Sequence, residues 1–389
     1  MDGENRPSVA PVAAPRWEAA WSDLAGSVVG PGLCTGCGGC VIACPWRVLS
    51  LDAGSWAPRL AEAAQSGGER EHCVHQERGC TLCARACPRW GDWEGDGDLV
   101  AVGRRRAEDE SLGVCRGMWL VSASDPEIAA AGQDGGLATA LLAYALEHDV
   151  IDAALVSYTD EGMWPRPGVA RSRAELLAAA GSRYTYSPNP LAYDEAAGLG
   201  AARLGLVGVG CQASVPAVAG ARGVQRVARR FALVIGLLCS RTFTDGLFGD
   251  LLEPRMGIPR ERIGRMNIKG RLMVWAAGER GPTPDLEVPL RDCDPFDRPG
   301  CRYCPDFTAG HADLSLGGIG RHASRTFTIV RSERAERLLA DMERAGWITM
   351  LPADEDDPAA VSLVRRLAAR QRGRWPGAGP GSWSGIAGD

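Results

Sequence analysis

Cys34-Thr-Gly-Cys37-Gly-Gly-Cys40-Val-Ile-Ala-Cys44-Pro45 has the spacing C-x2-C-x2-C-x3-C-P. That spacing serves a [4Fe–4S] cube. Three thiolates set two residues apart wrap one side of a cube about as wide as a tight turn. Gly36, Gly38 and Gly39 let backbone N–H groups close on the cluster sulfurs, and Pro45 turns the chain away. A displaced copy follows in Cys73-x6-Cys80-Thr-Leu-Cys83-Ala-Arg-Ala-Cys87-Pro88. In two-cluster folds the fourth cysteine of each run serves the other cluster. Cys34, Cys37, Cys40 and Cys87 are therefore expected on one cube, and Cys80, Cys83, Cys44 and Cys73 on the other. Structural zinc is the competing reading of paired C-x2-C knuckles. Three cysteines in tandem followed by Cys-Pro argue against it. His72 and His75 flank Cys73 and read as surface residues.

Around this stretch, residues 26–100 hold eight of the fourteen cysteines and little periodic hydrophobicity. So few apolar residues cannot hold a fold alone, which predicts a small ferredoxin-like domain built on its clusters. Residues 1–25 are rich in Pro and Ala and read as a loose arm. DWEGDGD (92–98) with GRRR (103–106) reads as solvated, and a linker is expected over 101–114. From 115 the texture changes. Met118–Ser122, Val150–Ser157, Arg203–Gly208 and Phe231–Leu238 are strand-length apolar runs. LATALLAYALEHD (137–149), residues 331–347 and residues 358–372 have helical spacing. Strands alternating with helices predict an α/β (α+β) domain over 115–374 with a partly parallel sheet. Residues 375–389 read as a disordered tail.

The chain has 389 residues, 45% apolar and 23% charged, with a net charge of −5. This is ordinary globular composition and gives no support to nucleic-acid binding. The longest apolar run, Phe231–Cys239, falls short of a membrane span. A cytoplasmic protein is expected, with peripheral attachment to a membrane complex left open. Reduced thiols in that compartment favour metal over disulfides. Lys269 is the only lysine among 43 basic residues, which suggests that a compact ammonium is needed there.

Cys211, Cys239, Cys301 and Cys304 follow predicted strands or lie in a loop, where α/β folds place sites. From spacing alone they either converge on a third cube or include buried small hydrophobes, with Cys211 also a candidate redox nucleophile. Cys115 and Cys293 read as structural. Gln133-Asp134-Gly135-Gly136 opens a helix and suits an anion, though by themselves this segment and the one at 316–320 also read as ordinary turns. Gly317 and Gly318 allow close approach to the backbone. Ser182, Arg183, Tyr184 and Lys269 add polar groups of the kind a phosphate or a flavin needs. The dinucleotide fingerprint G-x-G-x-x-G is missing, so NAD is not supported.

These motifs resemble the coenzyme F420 hydrogenase/dehydrogenase family of beta subunits. The likeness is closest to its F420 dehydrogenase-like branch, which has a two-cluster ferredoxin domain in front. The segments that carry it are GQDGGLATALL (132–142), GSRYTYSP (181–188), LVGVGCQA (206–213), IGLLCSRTF (235–243), NIKG (267–270) and CRYCPDFTAGHADLSLGGIG (301–320). The resemblance implies a flavin-binding domain that carries FAD, coenzyme F420 as substrate, and a third [4Fe–4S] cluster on Cys211, Cys239, Cys301 and Cys304. It places Gln133, Asp134, Gly135, Gly136, Thr139, Ser182, Arg183, Tyr184, Gly317 and Gly318 at the flavin, with Lys269 as the candidate catalytic residue. The coenzyme F420 phosphate and tail would take one of Arg166, Arg171, Arg173 or Arg183. A one-electron partner, either ferredoxin or the components of a larger redox complex, is implied. A ferredoxin-driven reductase of an organic substrate shares every cofactor and stays open. Where the family commonly has proline before the cysteine at 211, this chain has Gly210.

Overall fold

The computed structural model describes residues 18–160, 163–278, 283–320 and 324–376. Eight strands form the central sheet: β1 (Gly117–Ala123), β2 (Ala153–Asp160), β3 (Trp164–Ala170), β4 (Leu204–Val209), β5 (Phe231–Leu237), β6 (Leu314–Gly317), β7 (Thr326–Val330) and β8 (Ile348–Pro352). Their order is β8-β1-β7-β6-β5-β4-β2-β3. The inner four, β2, β4, β5 and β6, run parallel. The other four pair antiparallel at the two edges. Parallel strands covered on both faces read as continuous apolar runs, as β4 and β5 do. β3 carries Pro165 and Pro167 and lies at an edge, where a missing donor is tolerated.

Five helices matter for the site: α1 (Trp93–Ala101), α2 (Leu137–Glu147), α3 (Gly210–Ala221), α4 (Glu333–Arg344) and α5 (Pro358–Arg372). Leu141 and Leu142 of α2 and Leu338, Leu339 and Met342 of α4 pack with Ile235 and Leu314 on one face. On the other face, Val215 and Ala219 of α3 pack with Leu204, Leu206 and Val234. The same apolar cluster takes in Ile42, Ala43 and Ala86 of the cysteine-rich unit, which is thus seated on the sheet domain through α3. A separate three-stranded antiparallel sheet (Ile263–Ile268, Arg271–Ala276, Leu286–Pro289) carries Lys269 on its first turn.

Three expectations differ from the structure. Residues 92–98 are not solvated: they start α1, capped by the Asp92 carboxylate accepting from the Gly95 N–H. Trp93, Glu94 and Asp98 are buried there, because Arg106 neutralises the two carboxylates. Of the arm expected over 1–25, residues 1–17 lie outside the described residues. From Trp21 the chain packs: Trp21 and Leu24 are buried against the first cysteine unit, and the Trp21 indole donates to the Arg70 carbonyl. Trp375, expected in the tail, is buried, and 377–389 lie outside the described residues.

Candidate functional site

The cysteine-rich unit folds around two cavities. Cys34, Cys37, Cys40 and Cys87 line the first, with Leu24, Val28 and Arg89. Cys44, Cys73, Cys80 and Cys83 line the second, with Trp46, Leu49, Leu60 and His75. The exchange of the fourth cysteine between the two runs is thus present in the geometry. Pro45 and Pro88 end each run, so Cys44 and Cys87 sit where their chains leave one cavity for the other. All eight thiols are free. Burial pushes the Cys83 and Cys87 thiols up to about 12. Four such groups around one cavity become thiolates together only when positive charge joins them, as iron does. Among the described residues no His, Cys, Asp or Glu trio is tight enough for a single metal ion. His72 is exposed and pairs with Glu69. His75 stacks on Trp46 with ring centroids 4.4 Å apart.

Cys211 opens α3 directly after β4, Cys239 follows β5, and Cys301 and Cys304 lie in the segment before β6. The four act on one another electrostatically: Cys239 feels Cys301, Cys304 and Cys211 after its own burial, and burial pushes Cys211 up to about 11. They form a third group at the carboxyl ends of the parallel strands. It adjoins the first cavity, since the Cys37 thiol is raised by burial first and by Cys211 next. Gly210 has a local reason to be glycine. A Cβ there would lie 2.5 Å from the Asp306 carboxylate, whose other oxygen accepts from the Thr308 and Gly310 N–H groups. Cys293 is fully buried and Cys115 partly so; neither joins these groups.

The glycine-rich segments meet one another beside Leu238, the neighbour of Cys239. Lys269 Nζ donates to the Gly318 carbonyl at 2.5 Å and pairs with Asp134 Oδ1 at 3.1 Å. Gln133 Nε2 donates to the Met266 carbonyl at 2.9 Å. The Tyr184 hydroxyl donates to Asn267 Oδ1 at 3.3 Å and accepts from the Ile268 N–H at 3.1 Å, with Ser182 also bonded to it. Gly135 has φ +74°, and a Cβ on it would press on the Ser324 and Val121 carbonyls within 2.9 Å. The Thr326 hydroxyl donates to the Asp134 carbonyl. Thr139 is buried one turn into α2, and Gly317 packs against Leu238, the neighbour of Cys239.

Arg183 differs from the other candidate arginines. Arg166 pairs with Asp160, and Arg173 with Asp125 and Glu127. Among the described residues, Arg183 donates to the carbonyls of Ala180 and Gly181, and its buried Nε has no partner there. Burial lowers its pKa to about 10. A cation placed so suits a phosphate.

Sequence reasoning missed Arg89, which is 2% exposed and donates from Nη2 to Cys304 Sγ at 2.9 Å. Burial works against its charge, and the sulfurs of Cys304 and Cys211 more than offset this. One arginine after a Cys-Pro, in an arginine-rich chain, carries no signal of its own. Sequence reasoning also missed the buried set Glu94, Asp98, Arg106 and His311.

Residues 33–90 match the 4Fe-4S dicluster domain. With the cysteine groups at the strand ends, this defines an iron–sulfur oxidoreductase component. Residues 118–193 and 201–356 match the N-terminal and C-terminal parts of the coenzyme F420 hydrogenase/dehydrogenase beta subunit. The chain belongs to that family of beta subunits. It is 31% identical to the coenzyme F420 hydrogenase subunit beta of Methanothermobacter thermautotrophicus, over 67% of this chain and 92% of the relative. It is 27% identical to one subunit of the F(420)H(2) dehydrogenase of Methanosarcina mazei, over 87% of this chain and 89% of the relative. Among solved structures, a chain of the F420-reducing [NiFe] hydrogenase complex from Methanosarcina barkeri superposes with a TM-score of 0.63 at 30% identity, covering 68% of this chain and 91% of that one.

Proposed function

We propose that the chain passes electrons between coenzyme F420 and a one-electron carrier, through FAD and three [4Fe–4S] clusters. The observation that carries this is the convergence of three separate segments on the Asp134–Lys269–Gly318 contact, with Tyr184 bonded beside it to Asn267 and Ile268, next to the third cysteine group. When bound, the flavin supplies the exchange between a hydride and single electrons, and the cubes supply one-electron conduction. Cys34, Cys37, Cys40 and Cys87 would hold one cube, Cys44, Cys73, Cys80 and Cys83 the next, and Cys211, Cys239, Cys301 and Cys304 the third.

The chain's own residues do the positioning. Lys269 carries a fixed ammonium, oriented by Asp134 and the Gly318 carbonyl. Gly135 lets the turn at 133–136 close on Val121 and Ser324, and Gly318 lets the Asp134 carboxylate reach Lys269, which fixes that wall of the site. Arg183 offers the buried cation for a phosphate. Tyr184 is held by Asn267 and Ile268 and does not turn freely. Trp46, 56% exposed at the rim of the second cavity, marks the side for a redox partner. The likeness to a chain of a hydrogenase complex supports work within a larger assembly. No helix among the described residues is long and apolar enough to cross a membrane. The test is anaerobic mixing of the purified protein with reduced coenzyme F420. Rapid loss of the flavin absorbance supports the reading; an unchanged spectrum in protein that carries flavin opposes it.

A further inference from the structure

Arg89 lines the first cavity with Cys34, Cys37, Cys40 and Cys87, and its Nη2 donates to Cys304 Sγ in the third group. Its Nε and Nη1 are buried with no hydrogen-bond partner among the described residues. Two aromatic faces hold it in place: Cζ lies 5.1 Å from the Trp93 ring centroid and 5.8 Å from that of Trp375. A desolvated cation is costly unless anions surround it. Here sulfurs stand on both sides, Cys304 and Cys211 on one and Cys34 and Cys87 on the other, and the Asp306 carboxylate adds a smaller attraction without a hydrogen bond to the guanidinium, unlike the carboxylate clamp that holds Arg106.

We infer that Arg89 is a positioning residue shared by two clusters, raising the reduction potentials of the first-cavity cube and the third cube together. This rests on the cluster assignments of the proposed function. A cube on four thiolates gains one negative charge when it accepts one electron. In a low-dielectric site a fixed cation against the ligand sulfur favours that reduced form. The guanidinium is charged before and after, so one electron moves, the donor cube is oxidised by one, the acceptor is reduced by one, and no proton is needed. The second cavity does not include Arg89 among its walls and feels little of it. The two cubes that share the cation are thereby set above the outer one. Electrons arriving from the site at Lys269 would collect there before leaving.

The test uses the full chain, purified anaerobically, as wild type, Arg89→Gln and Arg89→Lys. Iron and sulfide are quantified, and the cubes are titrated with EPR detection. Cys80→Ser, which removes a wall of the second cavity only, identifies the outer signal. Arg89→Gln is expected to lower both inner potentials, shifting the electron partition toward the outer cube about tenfold, or about 59 mV for one electron. Arg89→Lys is expected to restore most of that shift. Unchanged potentials, or an equal shift of all three cubes, would overturn the inference. If Arg89→Gln fails to assemble, wild-type protein carrying 15N-labelled arginine decides. A guanidinium nitrogen coupled to the reduced third cube supports the inference, and its absence overturns it. Wild-type protein lacking iron would instead fail the underlying assignment of the clusters.

Discussion

A Cβ on Gly318 would lie 1.8 Å from the Asp134 carboxylate. Gly318→Ala is therefore expected to push Asp134 off Lys269. Flavin reduction by reduced coenzyme F420 should slow about 100-fold, the effect of misplacing a site by an ångström or so. Lys269→Ala should lose a similar factor by removing the charge itself. The Lys269–Asp134 pair is partly exposed, so the same variant should shift stability by no more than about 1 kcal/mol. Lys269→Arg should recover little, because a planar fork does not replace a compact ammonium. Stopped-flow rates and melting temperatures measured side by side separate these outcomes. Among the thiols, Cys34→Ser and Cys80→Ser should each lower iron from about twelve to about eight atoms per chain. Loss of all iron from either variant would contradict independent cavities. The grouping of the first eight cysteines around two cavities was legible in the sequence because their spacing is local, whereas spacing alone left Cys211, Cys239, Cys301 and Cys304 open. The groups that meet at Lys269 were legible only as separate motifs. Arg89 was not legible at all, since its meaning comes from sulfurs more than a hundred residues away.

Among the elements, α1 ties the cysteine-rich unit to the sheet domain. Arg106 bridges Glu94 at 2.9 Å and Asp98 at 2.6 Å, Arg372 of α5 reaches Glu94 at 2.9 Å, and His311 lies 3.3 Å from Asp98. Breaking a buried pair of this kind costs about 3–5 kcal/mol, which is the expectation for Asp98→Asn in chemical denaturation. Burial pushes the Asp98 carboxyl up, but Arg106 and His311 overcome it and hold it well below the usual carboxylate range. Its folded pKa is thus below the unfolded value of about 3.9. The stabilisation is full above that pH and is lost as pH falls through the folded value. The gap in stability between wild type and Asp98→Asn should narrow as pH drops below about 4; a gap that stays constant would contradict the ion-pair account. The acidic, glycine-rich DWEGDGD was misread as solvated because Arg372 and His311 are distant in sequence, and because the nearby Arg106 reads as one more surface charge until the chain folds it back on Glu94 and Asp98. Helix α5 was read with its observed limits, since Asp357 caps it, Pro358 opens it and its apolar spacing is regular. Strand β3 was missed because its two prolines argue against a strand, and only its edge position permits them.

The two units together make one body around a row of thiols. Arg222 is fully buried and donates to Asp96 and to the carbonyls of Cys87 and Trp90. Arg298 donates to the Thr35 carbonyl and lies 3.6 Å from the Tyr186 ring centroid. Removing residues 1–100 would strip these contacts and bare the α3 face. A fragment from residue 101 onward is expected to be insoluble or to melt far below the full chain in scanning calorimetry. A well-folded fragment would mean that the two units are independent. The alternation of strands and helices announced an α/β sheet in advance, but its seating against the cysteine unit is a product of tertiary packing through Val215 and Ala219. On the proposed function, a hydride donor would feed a row of three cubes. The decisive measurement is anaerobic: quantify iron, sulfide and flavin, add reduced coenzyme F420, and follow the flavin and cluster absorbance. About twelve irons and about one FAD per chain are expected, with both sets of bands bleaching. A fully loaded protein that ignores coenzyme F420 and bleaches only with reduced ferredoxin would contradict this role.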